Sequence, residues 1–228
     1  MKKHIHYFTR TEILLWSVSA ALIVSAFLIF DRVNFLTLAA SLVGITSLIF
    51  CAKGNPVGQA LMIVFSVLYG IISLTFSYYG EMITYLGMTM PMAIVSLISW
   101  LRNPYNSGKS EVRVNRISRR ELVFALLLTA VVTMVFYFIL RAFDTANLIP
   151  STVSVTTSFF AAYLTFRRSP WFAAAYAAND LVLIVLWTLA AFSDVSYLSV
   201  TVCFAAFFVN DLYGFVNWRR MARRQTAE

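Results

Sequence analysis

Residues Trp171–Trp218 read WFAAAYAANDLVLIVLWTLAAFSDVSYLSVTVCFAAFFVNDLYGFVNW, two long apolar runs that each carry one Asn-Asp pair, Asn179-Asp180 and Asn210-Asp211. Counted as helix at a rise of about 1.5 Å per residue, each asparagine lies roughly 12 Å in from its nearer tryptophan. If Trp171 and Trp218 mark one membrane surface, both pairs approach the midplane of a ~30 Å hydrocarbon layer from the same side. An ionisable side chain there costs at least ~2.5 kcal/mol and faces a cavity or a partner. No other long apolar run holds an acid in its interior, so Asn179, Asp180, Asn210 and Asp211 are the first candidates for substrate binding. The alternative is a hydrogen-bonded clamp between helices, for which two pairs at matched depth are more than is needed.

The rest of the chain has the same character. Of its 228 residues 60% are hydrophobic and only 12% charged, with a mean hydropathy of +0.77. That composition excludes a soluble globular domain and indicates a polytopic, all-α membrane protein. Barrel strands would alternate over ~10 residues, and these runs do not. The net charge of +8 does not imply nucleic acid, because the Lys and Arg fall in short segments between apolar runs. Cys51 and Cys203 lie inside apolar runs and read as small hydrophobes rather than as a disulfide or a metal site. The start, MKKHIHYFTRTE, is basic but is followed by no small-residue cleavage site, so the first apolar run is read as a retained helix.

Eight apolar segments reach spanning length, at about 12–30, 35–52, 56–78, 83–101, 120–140, 151–167, 171–192 and 196–218. Eight crossings put Lys2, Lys3, Arg10, Lys53, Arg102, Lys109, Arg113, Arg116, Arg119, Arg120, Arg167, Arg168, Arg219, Arg220, Arg223 and Arg224 on one side. Only Arg32 and Arg141 fall on the other, with Asp31, Glu81, Asp144 and Asp194. By the positive-inside bias both termini are cytoplasmic, whereas seven crossings would scatter the charges.

An internal repeat organises these spans. Laying spans two to four on spans six to eight brings Trp100-Leu101-Arg102 onto Trp218-Arg219-Arg220 and Asn55-Pro56 onto Ser169-Pro170. Each unit is a three-helix bundle whose second helix begins with a proline, where a missing N–H costs nothing. With one helix joining them, the two bundles run parallel, related by an axis along the membrane normal. The resulting division is an N-terminal tail and extra helix (1–34), a first bundle (35–101) and a basic loop (102–119) with turn signals at Asn103-Pro104 and Ser107-Gly108. A linker helix (120–150), a second bundle (151–218) and a basic tail (219–228) follow.

Helical spacing then groups polar residues into stripes: Tyr176, Asn179-Asp180 and Trp187; Asn210, Tyr213-Gly214 and Asn217; Gln59, Ser66 and Tyr69-Gly70. Together they predict a central cavity of amides, two carboxylates and aromatic rings, with Trp187 the deepest stacking candidate. Trp16, Trp100, Trp171 and Trp218 lie near span ends, as belt residues do. There is no G-x-x-x-x-G-K-[ST], H-E-x-x-H or G-x-S-x-G, and His4 and His6 sit in the basic tail. No enzyme, metal site or cofactor is expected.

The runs Gly54-Asn55-Pro56-x-x-Gln59, Asn179-Asp180 with Leu186-Trp187, and Asn210-Asp211-x-Tyr213-x-x-x-Asn217-Trp218-Arg219-Arg220-Met221 resemble the PnuC family of bacterial vitamin transporters. The resemblance covers residues 35–224. It implies a 3+1+3 arrangement similar to SWEET transporters, an extra N-terminal helix, a homotrimer in the bacterial inner membrane, and facilitated uptake of nicotinamide riboside, a form of vitamin B3, by alternating access. A cytoplasmic kinase traps the substrate in that family, feeding NAD biosynthesis, so no ATP site is needed. One feature departs from the nicotinamide riboside branch: where that branch is associated with Trp-x-x-Trp-x-x-x-Asn, this chain has Phe172, Ala175 and Asn179. The same family includes carriers of thiamine, riboflavin and deoxynucleosides, so these stay open as substrates, and a membrane receptor without flux is a further alternative. A pyridinium cation suits the expected cavity, since it can stack on Trp187 or Tyr176 while ribose hydroxyls bond Asn179, Asn210 and Gln59.

Overall fold

The structure, a computed structural model, describes residues 7–75, 79–106, 110–145 and 147–227. Among them every regular element is helical, apart from one isolated bridge between Pro104 and Val112. Eight helical stretches are long and apolar enough to cross a membrane. The first is α1 (Arg10–Ala26), prolonged by a π turn to Asp31; α2 (Phe35–Ala52) and α3 (Val57–Thr75) follow. The fourth crossing is composite: α4 (Tyr79–Thr84), a π turn (Tyr85–Thr89) and α5 (Met90–Leu101). Then come α6 (Arg119–Ala142), α7 (Leu148–Phe166), α8 (Phe172–Ala191), a short 3-10 turn (Val195–Tyr197) and α9 (Leu198–Ala227).

Two boundaries differ from those expected by more than three residues. The fourth crossing starts at Tyr79, which places Glu81 inside it and not in an outer loop. The tail after Trp218 is helix to Ala227, because nothing between Arg219 and Arg224 breaks it and its end is docked. Gln225 accepts from the Val114 N–H at 2.8 Å, and Arg224 meets Glu111 at 2.5 Å. Lys2, Lys3, His4, His6, Lys109 and the expected Ser107-Gly108 turn lie outside the described residues.

The predicted duplication has a counterpart in hydrogen bonds. The Trp100 indole donates to the Thr165 carbonyl at the end of α7, at 2.9 Å, and the Trp218 indole donates to the Cys51 carbonyl at the end of α2, at 2.8 Å. One residue earlier on each helix, Ser99 donates to the Phe166 carbonyl at 2.8 Å and Asn217 to the Ala52 carbonyl at 2.7 Å. Each bundle therefore clasps the other through its last helix, and the two indoles meet 5.4 Å apart on the pseudo-axis. The turns that follow α2 and α7 also match: Gly54 (φ 64°) and Arg168 (φ 55°) both take the left-handed conformation. A side chain is uncommon there, which gives Gly54 its reason and leaves Arg168 held by its surroundings. The segment at 110–117 straddles both turns, with the Val112 N–H bonded to the Gly54 carbonyl at 2.9 Å and the Asn115 N–H to the Arg168 carbonyl at 3.0 Å.

Helices α1 and α6 stand outside this pair of bundles. Only 22% of the apolar stretch of α1 and 11% of that of α6 is buried, so both leave most of their apolar side chains on the outside of the chain. Polar contacts fix α1: Lys53 meets Glu12 at 3.1 Å, and Trp16 donates to Thr46 at 3.1 Å. Its start is a capping box, with Glu12 accepting from the Thr9 N–H at 2.7 Å and Thr9 accepting from the Glu12 N–H at 3.2 Å.

Candidate functional site

Between the bundles, near the middle of α8, lies a narrow cavity of about 50 Å³. Its lining comes from both halves of the chain: Phe65 on α3, Glu81 and Thr84 on α4, Tyr85 and Thr89 on the π turn, Ser154 and Ser158 on α7, Tyr176, Asn179 and Asp180 on α8, and Phe204, Phe207 and Asp211 on α9. The π turn has a local cause. Pro91 has no N–H to give the turn before it and its ring crowds that turn's carbonyl, so the helix widens just ahead of it, and Thr89 instead reaches back to the Thr84 carbonyl at 3.2 Å. The widened turn presents Tyr85 and Thr89 to the cavity.

Three acids line this space, Glu81, Asp180 and Asp211, each at most 5% exposed. Among the described residues none of them forms an ion pair, and no Lys or Arg lines the cavity. The Asp180 and Asp211 side chains approach one another across the α8–α9 interface, and Asp180 Oδ2 is buried with no donor. Successive helical residues point about 100° apart, so each Asn-Asp pair serves two neighbours. Asn179 accepts from the Thr157 hydroxyl on α7 at 2.7 Å, which leaves its amide nitrogen as the group it can offer to the cavity.

Asn210 has a different role from Asn179. It donates to Ser19 on α1 at 2.9 Å and to the Ala206 carbonyl at 2.8 Å, and it does not line the cavity. Its stripe partners turn the same way: the Tyr213 hydroxyl donates to Glu12 at 3.1 Å, and Asn217 is held by the Ala52 carbonyl. Gln59 is likewise committed, donating to Cys51 Sγ at 3.2 Å. Tyr69 stands behind the lining, its ring 4.6 Å from that of Tyr85. Trp187 lies one layer further from the basic face, against Tyr69 and Tyr197, and lines a small adjoining pocket together with Glu81. The structure thus gathers Tyr176, Asn179, Asp180 and Asp211 in one cavity, sets Tyr69 and Trp187 beside it, and places Gln59, Asn210, Tyr213 and Asn217 in contacts between helices.

Glu81 is the lining acid that sequence reasoning missed. The sequence offers only Gly80 before it, which does not by itself mark burial. A Cβ at Gly80 would come within 2.3 Å of Thr145 Oγ1 and 2.7 Å of Leu140 Cδ2, so the backbone is packed here as in a helix interface and not a loop. Behind the lining residue Tyr176, toward the basic face, Phe172, Trp100 and Trp218 pack in one aromatic cluster, with ring centroids 4.8 Å apart for Phe172 and Trp218. Ala175, at the second tryptophan position of the Trp-x-x-Trp-x-x-x-Asn spacing, lines a groove on the basic face beside Trp171 and Arg219 and not the cavity.

Comparison with known proteins agrees with this architecture. The family described as nicotinamide mononucleotide transporter matches residues 34–220. The nicotinamide riboside transporter PnuC of Neisseria mucosa is 24% identical over 204 residues, covering 88% of this chain and 78% of its own. PnuC of Haemophilus influenzae is 23% identical over 194 residues, covering 84% and 82%. A crystal structure of the vitamin B3 transporter PnuC superposes with a TM-score of 0.83 over 96% of this chain and 94% of that one, at 22% identity. With α2 to α8 and most of α9 inside the family match, this chain belongs to the PnuC family of multi-pass membrane transporters.

Proposed function

We propose that the chain carries nicotinamide riboside across the membrane through the central cavity. The observation that supports this most is the set of three carboxyls without a lining cation, enclosed by Tyr85, Tyr176 and the phenylalanines. A pyridinium nucleoside brings the positive charge such a cavity lacks and a flat ring for its aromatic walls, while ribose hydroxyls find Asn179, Ser154 and Ser158. The mononucleotide in the family's description adds a phosphate, which would enter among carboxyls with no Lys or Arg to meet it. Charge therefore favours the riboside.

Ligand pockets commonly hold about 300–1,000 Å³, against about 50 Å³ here. Admission of a nucleoside therefore requires the aromatic layers on either side to part, which fits alternating access between the two bundles. Movement is downhill, and a cytoplasmic kinase retains the product; the termini face that kinase. A homotrimer in the bacterial inner membrane is the expected assembly. A second reading, another cationic vitamin such as thiamine, draws on the same three carboxyls and on the departure at Phe172.

The deciding experiment is binding to the purified protein by nicotinamide riboside, its 5′-phosphate, thiamine and a neutral nucleoside, followed by flux of the best binder into proteoliposomes. Preference for the riboside with downhill flux supports the proposal. Binding without flux would identify a receptor, and preference for the phosphate would overturn the charge argument.

A further inference from the structure

Away from the central cavity, a groove of about 820 Å³ opens on the basic face, between the starts of α6 and α8 and the ends of α7 and α9. Its inner wall is apolar, formed by Leu122, Phe160, Leu164 and Ala174. Its rim carries Arg116, Arg119, Arg219 and Arg223, and no acid lines it. Among the described residues, the glutamates on this face are already held by other cations: Glu12 by Lys53, Glu111 by Arg224 and Glu121 by Arg167. Among the described residues, then, none of the four rim guanidiniums has a carboxylate. Arg116 meets the Thr226 hydroxyl at 3.1 Å, and Arg219 lies over the Trp171 ring at 5.0 Å.

We propose that this groove binds one anionic phospholipid from the leaflet bordering the basic face. The wall residues belong to the last turns of α7 and the first turns of α6 and α8, so the groove is continuous with the hydrocarbon layer. An acyl chain can therefore lie against Phe160 and Leu164 while the phosphate reaches the guanidiniums beyond the helix ends. Arginine forks match phosphate oxygens, and basic recesses between spanning helices are suited to such headgroups. The groove owes part of its width to Ala174 and Ala175, whose methyl side chains line it. A tryptophan at 175, as the Trp-x-x-Trp spacing would supply, projects into the same space.

The test uses the full-length protein in a neutral detergent, measuring thermal stability and lipid retained in native mass spectrometry. Phosphatidylglycerol should raise Tm and remain bound, whereas phosphatidylcholine and inorganic phosphate should do neither. Arg119→Gln with Arg223→Gln, two exposed positions, should cut phosphatidylglycerol retention several-fold while the protein stays folded, and Ala175→Trp should reduce it without removing charge. Equal effects of the two lipids, or an unchanged response in the arginine double variant, would overturn the proposal. A response to inorganic phosphate matching that to phosphatidylglycerol would mean an anion site without a lipid. Variants that change the oligomer's mass and leave lipid retention intact would mean that a second copy of the chain fills the groove.

Discussion

Counting on from Pro56 in the first bundle and from Pro170 in the second aligns Ser66 with Asp180, and counting back from Trp100 and Trp218 aligns Ala93 with Asp211. At the basic face the two bundles make the same bonds, indole to carbonyl and left-handed turn to crossing segment. At mid-depth they differ. The first bundle has a serine turned back on its own helix, Ser66 to the Met62 carbonyl at 2.8 Å, and a buried alanine. The second has the two aspartates. The single cavity acid of the first bundle, Glu81, comes from the far side of a π turn that α9 lacks. The duplicated frame and the unduplicated chemistry are thus separable: one holds the halves in register, and the other gives the cavity its charge.

The largest expected effect falls on the frame. Trp218→Ala and Trp100→Ala each remove a fully buried ring and an indole–carbonyl bond, and should each destabilise the protein by about 3–5 kcal/mol in reversible unfolding. Near-equal losses would sharpen the symmetry argument, and a large loss at only one position would break it. Next in size is the charge difference. Asp180→Asn should weaken binding of a cationic nucleoside by about 1.5–3 kcal/mol in calorimetry and affect a neutral one less. Ser66→Ala, at the matching position, should leave both unchanged.

The two asparagines separate site from frame within the second bundle. Asn179→Ala should cost about 1–3 kcal/mol of affinity, because it removes the amide available to the ligand. Asn210→Ala should lower thermal stability by loosening α1 and leave affinity unaltered. The smallest effect is expected at Ala175. Because its side chain faces the basic groove, Ala175→Trp should not alter the ratio of riboside to neutral nucleoside binding.

Particular residues explain what could be read from the sequence. Eight crossings, the long central loop and the duplication were legible because hydropathy and a repeated proline and tryptophan report them directly. The midplane acids were legible because burial makes an unpaired carboxyl expensive wherever it points. The direction of each stripe was not. Asn210, Tyr213 and Asn217 do share a face, but that face meets α1 and α2, and the seat of α1 depends on Ser19 and Glu12, which no periodicity singles out. Glu81 was hidden because it stands at the very start of an apolar stretch, where an acid reads as solvated until Leu140 and Thr145 are seen to cover Gly80.

If three uncompensated carboxyls select a cationic nucleoside, flux of labelled nicotinamide riboside into proteoliposomes with competing ligands shows it most directly. Equilibration is expected without ATP or an ion gradient, with little competition from the 5′-phosphate, and with strong impairment when Glu81→Gln, Asp180→Asn and Asp211→Asn are combined in a protein that still folds. Equal competition by the 5′-phosphate, or undiminished riboside flux in that folded triple variant, would contradict it.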